Sequence, residues 1–243
     1  MKQLLTLLVA GALTVCGSLT TNAQLLNGSL DETYQQEIVP GFFLPKPVNW
    51  VNEGFRVITG PFEDEMSSEP WAGPAPTPDT NPGDFGVFFK AFTGNTANGP
   101  TTAHLFQEAD AIPGRTYMFT GWAGAEANYL AARSVFAIDF FDFNNTLIGT
   151  TELDLVTAGL FTGNGQPFNY KQYSITATAP DNAFSLRARV SMIGGLANPI
   201  GGGQAFVVDD FALVVVPEPS SVALVVMGLL GLLVVRVRKG GSR

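Results

Sequence analysis

Cysteine is almost missing from this sequence: Cys16 is alone among 243 residues, and His104 is equally solitary. Without paired thiols there is no disulfide framework, and without Cys/His clusters there is no zinc centre of that type. Charge is scarce as well, 14% of residues against about 25% in an average soluble domain. Positive charge is scarcest. Residues 24–216 hold 8 Lys/Arg against 20 Asp/Glu, a balance of −12. Phosphate recognition needs clustered cations, so this balance argues against nucleic acid as a partner. It argues equally against electrostatic docking to anionic lipid. Helical periodicity is absent between the two ends, and no glycine-rich phosphate loop precedes a helix. Apolar residues, by contrast, make up 46% of the chain and include 19 Phe, enough for a sizeable core.

The two ends read as addresses. Lys2 opens an N-terminus whose apolar run, residues 4–15, has the length of a signal-peptide core and is too short to span a bilayer. Small residues up to Ala23 set a cleavage point before Gln24, so residues 1–23 are expected to be a signal-peptide helix. Cys16 follows Val15, which is too large for the residue before a lipidated cysteine, and cleavage after Ala23 leaves the exported chain without cysteine. At the other end, residues 219–235 carry no charge and are just long enough for a transmembrane helix. Arg236, Arg238, Lys239 and Arg243 follow and hold that end in the cytoplasm by the positive-inside rule.

Pro217-Glu218-Pro219, the apolar run and the basic tail, in that order and at the chain end, resemble the PEP-CTERM sorting signal. The resemblance covers residues 217–243. It implies a tail recognised and removed by an exosortase, a membrane cysteine transpeptidase of Gram-negative bacteria that make exopolysaccharide. Such a tail works like a GPI signal, as an address and a transient anchor. Signal peptidase is the other processing partner.

The middle, residues 24–216, reads as one domain. Phe184, Leu186, Ala188, Val190 and Met192 alternate with Ser185, Arg187, Arg189 and Ser191, the period of a strand with one dry and one wet face. Tyr173, Ile175 and Ala177 alternate with serine and threonines in the same way. Residues 86–92, 102–107, 115–122, 134–143, 146–154 and 205–216 are further predicted strands, separated by turn signals such as Pro113-Gly114 and Asn144-Asn145. Many short strands at such spacing predict an antiparallel sandwich or barrel. The proline-rich segment 69–84 predicts a long surface loop.

Four stretches then resemble carbohydrate-binding modules of the family 4/9 type: LLNGSLDE at the start, LFQEADAIPGRTYMFTGWAGAE, YKQYSITATAPDNAFSLRARV, and AFVVDDFAL at the close. The resemblance implies a single antiparallel jelly-roll β-sandwich. It also implies a structural calcium tying the first strand to the last, at Asp31 and Asp209 with backbone carbonyls. The family's glutamate falls on Asp31 and its tryptophan on Tyr170.

Sugars stack on exposed aromatic rings beside polar groups, so Trp71, Trp50 and Tyr170 are the candidate glycan contacts, with Trp122 assigned to the core. The Asp209-Asp210 pair sits between Val207-Val208 and Phe211, so at least one of its carboxylates is expected to be largely buried and needs a cation, backbone donors, or Arg187 or Arg189. Catalysis has little to stand on. His104 has no legible nucleophile partner. Asp139, Asp142, Glu152 and Asp154 read better as alternating, solvated strand residues than as a glycosidase pair. The expectation is a non-catalytic protein, exported to the cell envelope, surface or extracellular matrix, that associates with polysaccharide. A purely structural surface protein and a small surface glycoside hydrolase are the alternatives.

Overall fold

A computed structural model describes residues 24–56, 63–64, 66–70, 84–91 and 99–217. The signal-peptide segment, Trp71, Glu218, Pro219, the apolar run 219–235 and the basic tail with Arg236, Arg238, Lys239 and Arg243 lie outside them. Among the described residues no helix is long and apolar enough to cross a membrane.

Fourteen strands run along the described chain: β1 Thr33–Val39, β2 Phe42–Pro47, β3 Val51–Glu53, β4 Phe55–Arg56, β5 Glu63–Asp64, β6 Met66–Pro70, β7 Phe85–Lys90, β8 Thr101–Asp110, β9 Thr116–Ala125, β10 Arg133–Phe141, β11 Leu147–Asp154, β12 Lys171–Thr178, β13 Ser185–Gly195 and β14 Ala205–Val215. Ten of them form two five-stranded sheets, β11-β10-β13-β8-β3 and β12-β9-β14-β7-β6, with every pairing antiparallel. These are the two layers of a sandwich, one of the two architectures that the strand spacing predicts, and the jelly roll is the form that the resemblance implies. Short β4 and β5 pair with each other, and β1–β2 is a separate hairpin that the alternation search did not find. Its register slips between Glu37 and Val39, which breaks the period-two signal.

The core lies between the sheets. Leu186, Ala188, Val190 and Met192 of β13 meet Phe119 of β9 and Phe206, Val208 and Leu213 of β14 there. Phe211 is at the centre, its ring 5.4 Å from that of Phe119, 5.7 Å from Phe136 and 5.1 Å from Trp50. A Cβ on Gly121 would fall 2.3 Å from this ring, so only glycine lets the two strands close over it. The opening segment is stitched to the last strand by Phe211 N–H donating to Gly28 O, 2.7 Å.

Glu69 and Pro70, expected in the proline-rich loop, instead finish β6. That strand is the outer edge of its sheet, where a missing N–H breaks no ladder.

Candidate functional site

Period-two alternation turns one face of each β13 residue pair inward and the other to solvent. The wet face of the β11-β10-β13-β8-β3 sheet gathers residues from all five strands. Glu53 pairs with His104, His104 with Ser191, Arg189 with Ala137, and Asp139 with both Arg187 and Thr150. Asp139, Glu152 and Asp154 therefore share this face rather than alternating away from one another.

Ion pairs fix them. Arg189 grips Asp139 through Nε to Oδ2 at 2.7 Å and Nη2 to Oδ1 at 3.1 Å. Its Nη2 also reaches Glu152 at 3.2 Å, and its Nη1 donates to Ser191 Oγ at 2.8 Å. Ser191 Oγ is 2.7 Å from His104 Nδ1. Arg133 completes the run, 2.8 Å from Glu152 and 3.4 Å from Asp154. Asp139 and Arg189 are largely buried, so their pairing answers a real desolvation cost, whereas the Arg133 contacts are exposed and worth little. Burial pushes Glu152 up, but hydrogen bonds from Arg133 and Arg189 outweigh it and hold its carboxyl below the usual range. Burial, then the Arg189 charge, lowers His104, which favours the neutral ring.

Arg187 lies flat on two rings, 3.8 Å from the centre of Phe106 and 5.0 Å from that of Phe141, while its Nη2 bonds Glu108 at 2.7 Å. It is the shared wall of two clefts. One, about 410 Å³, is lined by Glu53, His104, Asp139, Thr150, Glu152 and Arg189 among others. The other, about 930 Å³, runs past Val51, Phe106, Glu108 and Asp110 to Leu26 and Ile112. None of these residues was a sequence candidate for binding. Only the wet-face positions of Arg187 and Arg189 signalled them.

The expected aromatic contacts fall elsewhere. Trp50 is buried against Phe211, its Nε1 donating to Asn27 O at 2.9 Å, so it offers no face to a sugar. Tyr170 is buried too, stacked on Trp122 at 5.9 Å and 19° in a small cluster with Phe88, Ala205 and Val207. Trp122, expected in the main core, is half-buried against this satellite instead. Neither ring had a local signal for burial, because both are covered by segments distant in the chain.

Asp209 lies beside this satellite, 2% exposed. Arg187 and Arg189 are spent on the other sheet, and the N–H of Asp210 donates to Asp209 Oδ1 at 2.8 Å. Burial, then the charges of Asp210, Asp84 and Asp31, push its pKa up to about 9. Strand β14 is not regular here: Asp210 has φ +50° and the register shifts between Asp209 and Ala212. Asp31 Oδ1 accepts the N–H of Phe85 at 2.9 Å. A buried carboxylate ringed by acids fits a cation. Among the described residues no three carboxylate, His or Cys side chains converge as metal ligands, so backbone carbonyls would have to complete the shell.

Residues 215–239 match the PEP-CTERM protein-sorting motif, so the chain carries a sorting signal. No curated protein matches the chain. Among solved structures, the enzymatically active domain of tailspike protein 4 of bacteriophage CBA120 aligns with a TM-score of 0.44 and 13% identity over 70% of this chain, which spans 20% of that one. The carbohydrate-binding module TmCBM61, solved with β-1,4-galactotriose, aligns with a TM-score of 0.40 and 16% identity over 70% of this chain and 90% of that one. The CBM22-1 xylan-binding domain of Xyn10C from Paenibacillus barcinonensis aligns with a TM-score of 0.42 and 10% identity over 83% of this chain and 99% of that one.

Proposed function

We propose that this is an exported, non-catalytic sandwich domain, sorted to the cell surface or matrix by its tail, that holds polysaccharide along the wet face of the β11-β10-β13-β8-β3 sheet. Signal peptidase and an exosortase process its two ends, and the apolar run 219–235 anchors it in the membrane until then. The carrying observation is the pair of clefts that meet at Arg187. Their acids, guanidinium groups and imidazole are already fixed by one another, so sugar hydroxyls meet donors and acceptors that need no reordering. Arg133 and Arg189 also hold the Glu152 carboxyl ionised, whereas a glycosidase needs one carboxyl raised to act as acid.

Retention of the protein on immobilised polysaccharides, the host's exopolysaccharide among them, tests this reading. We expect Arg187→Ala to cut retention at least tenfold while the melting temperature stays within a few degrees. Equal retention by Arg187→Ala on every retained polysaccharide would remove the site.

The burial of Asp209 supports a second proposal: a structural calcium held by Asp209 and Asp31 with backbone carbonyls. The ion would supply the positive charge that this pocket of acids needs and would clamp the opening segment to β14.

A further inference from the structure

The last strand leaves the sandwich at one particular end. Val216 N–H, just past β14, donates to Thr116 O at 2.8 Å, where β9 begins. Three turns share that end. Gly114 of the β8–β9 turn donates to Ala179 O, ahead of the β12–β13 turn, at 2.9 Å. Phe184 then donates to Phe141 O at 2.8 Å, at the mouth of the β10–β11 turn. Each turn shows a large apolar side chain to solvent: Ile112 is 41% exposed, Phe143 79% and Phe184 54%. Phe143 and Phe184 meet edge to face at 5.2 Å.

We infer that this end of the sandwich, through Ile112, Phe143 and Phe184, rests in the interface of a zwitterionic lipid bilayer while the tail is uncut. The inference builds on the anchoring role given above to residues 219–235. Only Pro217 and Glu218 separate Val216 from that charge-free run. Two residues span about 7 Å at full extension, so the sandwich end has almost no slack from the membrane. Apolar and aromatic tips at that distance partition into the headgroup boundary, where such rings are favoured. The acids around them, Asp110, Asp142 and Glu108, oppose an anionic surface and favour a neutral one. The larger cleft reaches Ile112, so docking by this end covers its mouth there and leaves the smaller cleft around His104 and Arg189 clear.

Exposure alone does not select this end, because Ile200, in the β13–β14 connection at the other end, is 81% exposed. It serves as the control. The full chain with Cys16→Ser carries an environment-sensitive fluorophore at Phe143→Cys, Phe184→Cys or Ile200→Cys, reconstituted in phosphatidylcholine vesicles containing a lipid quencher at the acyl–headgroup boundary. Unchanged melting confirms that the labelled chains fold. We expect quenching at 143 and 184 at least threefold greater than at 200. Vesicle-bound chain with equal quenching at all three positions would overturn the inference and leave the anchor standing. Chain that fails to float with the vesicles would overturn the anchor and the docking together. Labels untouched by lipid but shielded by added polysaccharide would reassign Phe143 and Phe184 to sugar binding.

Discussion

Asp209 concentrates the electrostatic risk of this molecule in one carboxyl. Its pKa of about 9 in the folded state is well above the unfolded value near 4, so folding takes up a proton between those limits. Without the ion, the contribution of Asp209 to stability is therefore full below about pH 4 and is lost as pH rises through about 9. Calcium should abolish that decline, raising the melt at pH 8 by several degrees. Asp209→Asn should flatten the ion-free profile, melt higher than the parent at pH 8 in EDTA, and gain nothing from calcium. A calcium-raised melt that survives Asp209→Asn would place the ion elsewhere. Single residues also mark where sequence reading stopped. Val207, Val208 and Phe211 around Asp209 announce a buried carboxylate. Nothing near Trp50 announces that Phe211, far along the chain, will cover it. Burial by a distant segment leaves no local trace, and so Trp50 and Tyr170 failed as exposed surfaces, while a buried acid in the Asp209-Asp210 pair was foreseen.

At the scale of strands, alternation was legible wherever one face is dry and the other wet. Strand β12 follows its pattern residue by residue, and β13 does so from Ser185 to Val190. Phe184, expected on the dry face, precedes β13 and is exposed, and Ser191, expected wet, is buried beneath Arg189 and His104. Strands β8 to β11 and β14 lie within a few residues of the predicted ranges. Hairpin β1–β2, with Phe42 and Phe43 both exposed, has no dry stripe to read. Register across strands was not legible either. Arg189 meets Asp139 and Glu152 only because β13, β10 and β11 align side by side, a pairing no local pattern encodes. The most demanding contact between elements is the one beneath Phe211. Gly121→Ala would put a methyl 2.3 Å from that ring and 3.2 Å from Phe136, in a core with no room to yield. A loss of about 2–3 kcal/mol, read from denaturant midpoints, is expected. A variant as stable as the parent would mean that β9 and β14 can separate without cost.

For the whole molecule, two clefts meet at Arg187 and the chain leaves the sandwich at one end. The last strand, β14, is the middle strand of its sheet, flanked by β9 over Phe206–Val215 and by β7 over Ala205–Val208. Whatever the tail is fastened to, membrane or matrix, pulls on this strand along its own axis. Such a pull loads the ladders on both sides in shear, all their hydrogen bonds at once, whereas a tether on an edge strand peels its bonds one by one. Held by the tail and by bound polysaccharide, the domain should yield at higher force than when held by the tail and the tip of the β1–β2 hairpin, a comparison open to single-molecule pulling. On the proposed reading, the central place of β14 makes the domain a mechanical fastening as well as a binding surface, able to carry load without unravelling from the end that is pulled.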